Sequence, residues 1–277
     1  MRIALAQVDC VLGEVDGNIE RARDWIDDAV DQHADLIVFP ELNLHGYSLG
    51  MLEKDSSIRS TDPMITGLCR PEIDVLVGFH EDGGVRAYNS AAYLGADGLV
   101  HTHRKLYLPN YLVWEERKYC SPGQAMRAYD TRFGRMATLI CNDAWQSVLP
   151  WLAAQDGAEV LLVPTNSATG FGPESLNTVE YWEQLLSFTA RMQQCWVVFV
   201  NRVGVERGAR FWGGSRVIDP SGQVVAIAPM DDPALVLADI DVSASRRRRR
   251  QVPLVAEARL ALIARELDRM IRDGGDG

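Results

Sequence analysis

Met136-Ala137-Thr138-Leu139-Ile140-Cys141-Asn142-Asp143 is an apolar, β-branched run that ends on a thiol and then turns polar. A short run of this kind, closed by a turn signal, reads as a buried strand. Cys141 stands where the strand ends and the backbone turns. A thiol there can project into a pocket while the strand behind it holds it still, as a covalent catalyst requires. The same residue also reads as a small core hydrophobe, because free cysteine is among the most buried residue types. Its partners decide between the two.

Two further segments share the design. Leu36-Ile37-Val38-Phe39-Pro40 leads into Glu41, and His103-Arg104 leads into Lys105, ahead of Leu106-Tyr107-Leu108-Pro109. Taken singly, Glu41 reads as a surface carboxylate after a strand and Lys105 as a solvated lysine. Strands of one sheet can bring such ends together, and the three residues then form a working set. A carboxylate takes the thiol proton, the thiolate attacks, and an ammonium stabilises the charge that develops on the substrate. His33 and His45 lie near Glu41 in sequence, but neither ends a strand, so a Cys–His pair is the weaker arrangement.

Around these segments, apolar runs alternate with helical patterns. Arg2–Val8 reads as a strand. Asn18 is read as the N-cap of a helix reaching about His33, with Ile19, Ala22, Ile26, Ala29 and Val30 on one face. Strands are expected at 75–79 and 91–94, about a turn at Glu81-Asp82-Gly83-Gly84, and again at 160–163 and 196–200. Helices are expected over 148–155 and from about Ser175 to Gln194. Ser215–Ile218 and Gln223–Ala228 read as a hairpin about Asp219-Pro220-Ser221-Gly222. An amphipathic helix is expected over Ala256–Ile271, followed by a fraying Gly274–Gly277. The segment Thr165–Pro173, with Gly170–Gly172, reads as a pocket rim or a surface loop. Together these patterns predict a layered α/β domain with helices covering sheets, as one unit over 1–277.

Composition narrows the functions. The chain has 277 residues, 47% of them hydrophobic, enough for a substantial core. A net charge of −10 disfavours nucleic acid and anionic membranes as partners. No apolar stretch approaches the roughly 20 residues of a membrane span. No signal-peptide pattern precedes the first strand, so a cytoplasmic location is expected. The five cysteines (10, 69, 120, 141 and 195) show no pairing pattern and no CxxC, which disfavours a disulfide framework and a zinc site. His101 and His103 share one strand face; a bridging metal is the sharper reading and a polar strand edge the plainer one. Arg246 to Arg250 read as a solvated turn pairing with nearby carboxylates, with an interface as the alternative.

The motifs also carry a family resemblance. Phe39-Pro40-Glu41 with Gly46-Tyr47, Arg104-Lys105-Leu106-Tyr107-Leu108-Pro109 and Leu139-Ile140-Cys141-Asn142-Asp143 follow the order and spacing of the nitrilase superfamily of carbon–nitrogen hydrolases, which the chain resembles nearly end to end. Trp114-Glu115-Glu116-Arg117 with Pro122-Gly123, Asn201-Arg202-Val203-Gly204, Gly213-Gly214-Ser215 and Asp219-Pro220-Ser221-Gly222 extend the likeness. The resemblance implies a four-layer α-β-β-α sandwich that pairs through helices into a homodimer or larger homo-oligomer. It implies Glu41, Lys105 and Cys141 as the catalytic set, and Glu116 as a supporting carboxylate with Glu115 as its near competitor. The backbone N–H of Asn142 becomes a donor to the oxyanion. Many relatives carry an aromatic residue at that position, and Asn142 changes the pocket wall. Tyr47 and Tyr111, with Trp114 and Trp145, are candidates for lining a pocket or for core.

The implied activity is hydrolysis of a small-molecule amide through a cysteine thioester, without metal or cofactor. Nitriles, N-carbamoyl compounds and acyl transfer are alternatives. The stretches after Lys105 are similar to those of amidases and of glutamine-hydrolysing domains fused to NAD synthetases. With no synthetase domain following the last helix, delivery of ammonia to a fused site is not expected, whereas a separate partner chain is conceivable. A non-catalytic binding module would show loss of one of the three chemical residues, and all three are present.

Overall fold

The computed structural model describes residues 1–111, 114–170 and 177–274. In chain order the first half contains β1 (Arg2–Gln7), α1 (Val15–Asp31), β2 (Leu36–Val38), the short α2 (Pro63–Thr66), β3 (Asp74–Asp82), β4 (Ala87–Gly95) and β5 (Gly98–Arg104). The second half contains β6 (Ala128–Thr131), β7 (Gly134–Thr138), α3 (Val148–Gln155), β8 (Val160–Thr165), β9 (Ala168–Thr169), α4 (Thr178–Gln193) and β10 (Trp196–Asn201). It continues with β11 (Val203–Glu206), β12 (Ala209–Trp212), β13 (Arg216–Ile218), β14 (Val224–Ile227), β15 (Ala234–Asp239), α5 (Ser243–Gln251) and α6 (Leu260–Arg272).

Among the described residues the strands form two six-stranded sheets, ordered β15-β1-β2-β3-β4-β5 and β14-β13-β10-β8-β7-β6, and a small three-stranded sheet, β11-β12-β9. The inner faces of the two large sheets pack on each other: Leu5, Leu76 and Tyr93 of the first sheet meet Met136, Leu162 and Val198 of the second. On the outer face of the first sheet, Ile19, Ala22, Ile26 and Ala29 of α1 cover Ile37, Val75 and Phe79. On the outer face of the second, Leu149 of α3 and Trp182 and Leu186 of α4 cover Leu161, Val197 and Phe199. The result is the expected α-β-β-α sandwich. Each of these large apolar side chains contributes roughly 1.5–3 kcal/mol by leaving water.

The parallel pairs β1–β2–β3 and β7–β8–β10 align their C-terminal ends at one rim of the sandwich. Ligands in parallel α/β sheets bind beyond such ends. Gly78 makes part of this rim possible. A Cβ there would lie 2.5 Å from the Leu42 backbone nitrogen and 2.6 Å from the Pro40 carbonyl, so only glycine lets β3 pass under the turn that carries Glu41.

Several local expectations are corrected. Asn18 does not cap α1; it lies inside the helix, buried. Its side chain bonds Val11 N at 2.9 Å and the carbonyls of Val11 and Leu44 at 2.8 and 3.0 Å, tying the helix to two loops. The true N-cap of α4 is Asn177, whose Oδ1 accepts from Glu180 N; Ser175, the predicted start, lies outside the described residues, as do Phe171 and Gly172 of the glycine-rich segment. Arg246–Arg250 are not a turn but most of α5. Arg246 and Arg247 pair with Glu159 and Asp241, as the sequence suggested, while Arg249 turns inward to the Ala158 carbonyl at 2.6 Å. The last helix begins at Leu260 rather than Ala256 and buries none of its residues.

Candidate active site

Glu41, Lys105 and Cys141 each follow a strand whose inner residues are buried, and the rim brings them together. Glu41 comes three residues after β2. One carboxylate oxygen accepts from Lys105 Nζ at 2.6 Å and Asn89 Nδ2 at 2.7 Å, and the other from Asn166 N at 2.9 Å. Lys105 leaves β5 with its backbone N–H bonded to Asn89 O at 2.8 Å, and its side chain is fully buried. Glu116, which opens a 3₁₀ turn, takes a second bond from Lys105 Nζ at 2.7 Å and one from the Tyr47 hydroxyl. Glu115 points to solvent and pairs with Lys118, so geometry selects Glu116 as the carboxylate beside the lysine.

Cys141 begins a 3₁₀ turn, Cys141–Asp143, with φ of 46°, a left-handed conformation that costs energy for any residue bearing a Cβ. The cost is held by Asp143. Its carboxylate accepts from the backbone N–H groups of Leu106 and Tyr107, both at 2.9 Å, and of Ile140 at 3.2 Å, and bonds His103 Nε2 at 2.9 Å. The turn bearing the thiol is thus tied to the loop bearing the lysine. This also corrects the reading of His103 as part of a polar strand edge: it is buried, and His101 stacks on Tyr129 instead.

Asn142, next in the turn, is partly exposed and its Nδ2 bonds the Tyr107 carbonyl at 3.1 Å. Its own N–H is among the first of the turn, which find no acceptor within it. Tyr47 meets Trp114 edge to face at 5.1 Å. Tyr111 is 52% exposed, and burial, with the Cys141 charge adding to it, pushes its hydroxyl up. Trp145 stacks on Tyr181 at 5.6 Å over α4. Tyr47, Asn89, Trp114, Glu116 and Phe211 line a cavity of about 380 Å³ on the Glu116 side of the cluster; Cys141 is not on its wall.

The charges explain the resting state. Burial, and then the Glu41 carboxylate, push the Cys141 thiol well above its usual range, against the pull of Lys105. The thiol rests protonated and needs a base. Burial works against the Lys105 charge, but Glu116 and Glu41 outweigh it and hold the ammonium charged. Burial, with Glu41 adding repulsion, pushes Glu116 up to about 7 despite Lys105. The arrangement supplies a thiol, an adjacent base and a fixed cation. Sequence reasoning did not single out Asn89, gave no separate role to Asp143 or Asn166, and assigned His103 a different one. Asn166 carried the same signal as Glu41, Lys105 and Cys141, a polar residue after an apolar strand.

The family described as carbon-nitrogen hydrolase matches residues 2–250, and the chain belongs to it. A glutamine-dependent NAD(+) synthetase of Xylella fastidiosa is 33% identical over 99% of this chain and 50% of its own. This chain spans about half the length of the curated synthetases that it matches. The omega-amidase of Danio rerio is 28% identical over 93% of this chain and 94% of its own. An amidase of Nesterenkonia sp. AN1, seen with acrylamide added to its active-site cysteine, superposes with a TM-score of 0.77 at 25% identity, covering 91% of this chain and 98% of that one. The fold matches that of the family, whose members hydrolyse carbon–nitrogen bonds other than peptide bonds. Among the described residues no helix is long and apolar enough to cross a membrane.

Proposed function

We propose that this protein hydrolyses the amide of a small molecule through a thioester on Cys141. Glu41 takes the thiol proton as sulfur attacks the amide carbon. The Lys105 ammonium and the Asn142 N–H stabilise the oxyanion, each such donor being worth roughly 3 kcal/mol in the transition state. Glu41 gives its proton to the departing nitrogen, and ammonia or an amine leaves. Water then attacks the thioester carbon, gives a proton to Glu41, and the acid departs as that proton returns to sulfur. Every group used belongs to this chain or is water. The observation that carries the reading is the buried Glu41, bonded to Lys105 at 2.6 Å and near enough to Cys141 for its charge to push the thiol up.

An ammonia-release screen across amides, nitriles and N-carbamoyl compounds, with Cys141→Ala as the blank, tests it. Turnover should vanish in Cys141→Ala, and a slow substrate should leave an acyl mass on the peptide containing Cys141. Full activity of Cys141→Ala, or an adduct elsewhere, would refute the assignment. Glutamine belongs in the screen because the synthetase relatives are glutamine-dependent by name. A glutaminase that hands ammonia to a partner chain is the second reading, and a preference for glutamine over unfunctionalised amides would favour it. We also propose self-association. Helix α6 buries nothing and leaves Leu260, Leu267, Met270 and Ile271 exposed, a larger apolar face than a lone helix usually shows to water. A monomer mass by light scattering at micromolar concentration would refute that.

A further inference from the structure

Asn166 is the residue of the site whose side chain has both polar atoms buried and unpaired among the described residues. It lies between β8 and β9, only 3% exposed, and its backbone N–H reaches Glu41 at 2.9 Å. The same N–H also favours the thiolate form of Cys141. The carboxamide is different: both Oδ1 and Nδ2 are buried and neither meets a partner among the described residues. Leaving a buried polar group unpaired costs about 1–3 kcal/mol. Such groups are rare, and each calls for a reason.

Looseness of the surrounding chain is not the reason. Ser167, the next residue, is bonded on three sides: its N–H to Asn201 Oδ1 at 2.8 Å, its carbonyl to Asn201 Nδ2 at 3.2 Å, and its hydroxyl to Trp212 Nε1 at 3.1 Å. Ala168 then joins the small sheet through Phe211. The backbone of Asn166 is therefore fixed on both sides. Standard bond lengths place an asparagine carboxamide within about 5 Å of its own backbone nitrogen, which here lies 2.9 Å from Glu41.

In the proposed reaction Glu41 is the group that protonates the leaving nitrogen. A buried carboxamide with an unpaired acceptor, carried on a backbone that bonds Glu41, is within reach of that nitrogen. We infer that Asn166 is a specificity-determining residue whose Oδ1 accepts a hydrogen bond from the leaving –NH2 of a primary carboxamide. The substrate carbonyl brings an acceptor within reach of Nδ2 as well. A nitrile or an ester offers no N–H, and a buried acceptor left empty rejects such an analogue. The inference rests on the amide-hydrolysis reading and deepens it: this site is built for primary amides rather than for nitriles.

The test compares a primary amide with the methyl ester of the same acid. Both acylate Cys141, and only the amide carries the N–H. Asn166→Ala and Asn166→Leu are assayed with the wild type. Asn166→Leu is close in shape and removes only groups that have no partner, so its melting temperature should equal or exceed that of the wild type. The amide kcat/KM should fall on the order of 10- to 100-fold in both variants, with ester kcat/KM changing less than about 3-fold. Equal loss on both substrates, or an unchanged amide-to-ester ratio, overturns the proposal while leaving amide hydrolysis in place. If Cys141→Ala keeps its turnover, or if the wild type cleaves the ester and never the amide, the underlying reading fails and this proposal fails with it.

Discussion

Two buried cations in this protein each sit between two carboxylates, with opposite consequences. Lys105 bridges Glu41 and Glu116 at 2.6 and 2.7 Å; Arg202 bridges Asp9 and Glu206 at 2.8 and 2.9 Å. With every group charged, each cluster carries one negative charge too many. Around Arg202 that excess is dispersed. The Asp9 side chain is 47% exposed, and Glu206 accepts from the backbone N–H groups of Tyr47 and Ser48. Burial works against its charge, yet Arg202 and Ser48 hold the Glu206 carboxyl below its usual range. Around Lys105 such relief reaches Glu41, which accepts from Asn166 N and Asn89 Nδ2, but not Glu116. Among the described residues Glu116 receives no backbone N–H and its Oε2 is buried and unpaired, and burial pushes its carboxyl up to about 7. Charge count is the same in both clusters. The supply of water and N–H donors separates a cluster that holds a loop from one that can hold a proton.

Removing each cation is the strongest way to break this comparison. If Lys105 stabilises the oxyanion as proposed, Lys105→Met should lower kcat/KM on the order of 10³-fold, because it removes that charge. Arg202→Met should act mainly on stability, costing about 3 kcal/mol in urea unfolding, because it strands Glu206. Turnover per folded molecule should then fall less than about 10-fold, through a loosened Tyr47 and hence Glu116. If folded Arg202→Met is as inactive as Lys105→Met, the division between a holding cluster and a working cluster is wrong.

The sequence made one of these clusters legible and left the other dark. Glu41, Lys105 and Cys141 each end an apolar run, and a strand end is a place that sequence can mark. Glu116 was visible only through family likeness, with Glu115 unresolved beside it, because neither ends a strand; the structure separates them by what each touches. Arg202 was visible as part of a motif but without a role. Its partner Asp9 is 193 residues away, and no local pattern encodes such a pairing. Asn18 shows the limit most simply. An asparagine before an apolar helical face has the local chemistry of an N-cap, and tertiary bonds to Val11 and Leu44 overrode it. The arginines at 246–250 meet the expected carboxylates at Arg246 and Arg247 but form a helix rather than a turn, for a similar reason. Their charge suggested a solvated turn, but buried carbonyls such as that of Ala158 lie within reach of a helix.

Titration offers a finer measure of the same comparison. In the folded protein Glu116 lies at about 7, above its ordinary 4.5. A folded-state value above the unfolded one means that stability is fully present below pH 4.5 and is lost as pH rises through 7. Glu116→Gln cannot titrate. Relative to that variant, the wild type should therefore lose on the order of 2 kcal/mol between pH 5 and pH 8 in urea unfolding, from 1.36 kcal/mol per pH unit discounted for sharing with Lys105. Glu206 is displaced the other way. Its contribution is present above its unfolded value and is lost only as pH falls through the lower, folded one. The difference between wild type and Glu206→Gln should consequently stay flat from pH 5 to pH 8 and close only in more acid solution. Parallel curves for the wild type and Glu116→Gln, or a sloping difference for Glu206→Gln over that window, would show that the two clusters share their excess charge in the same way.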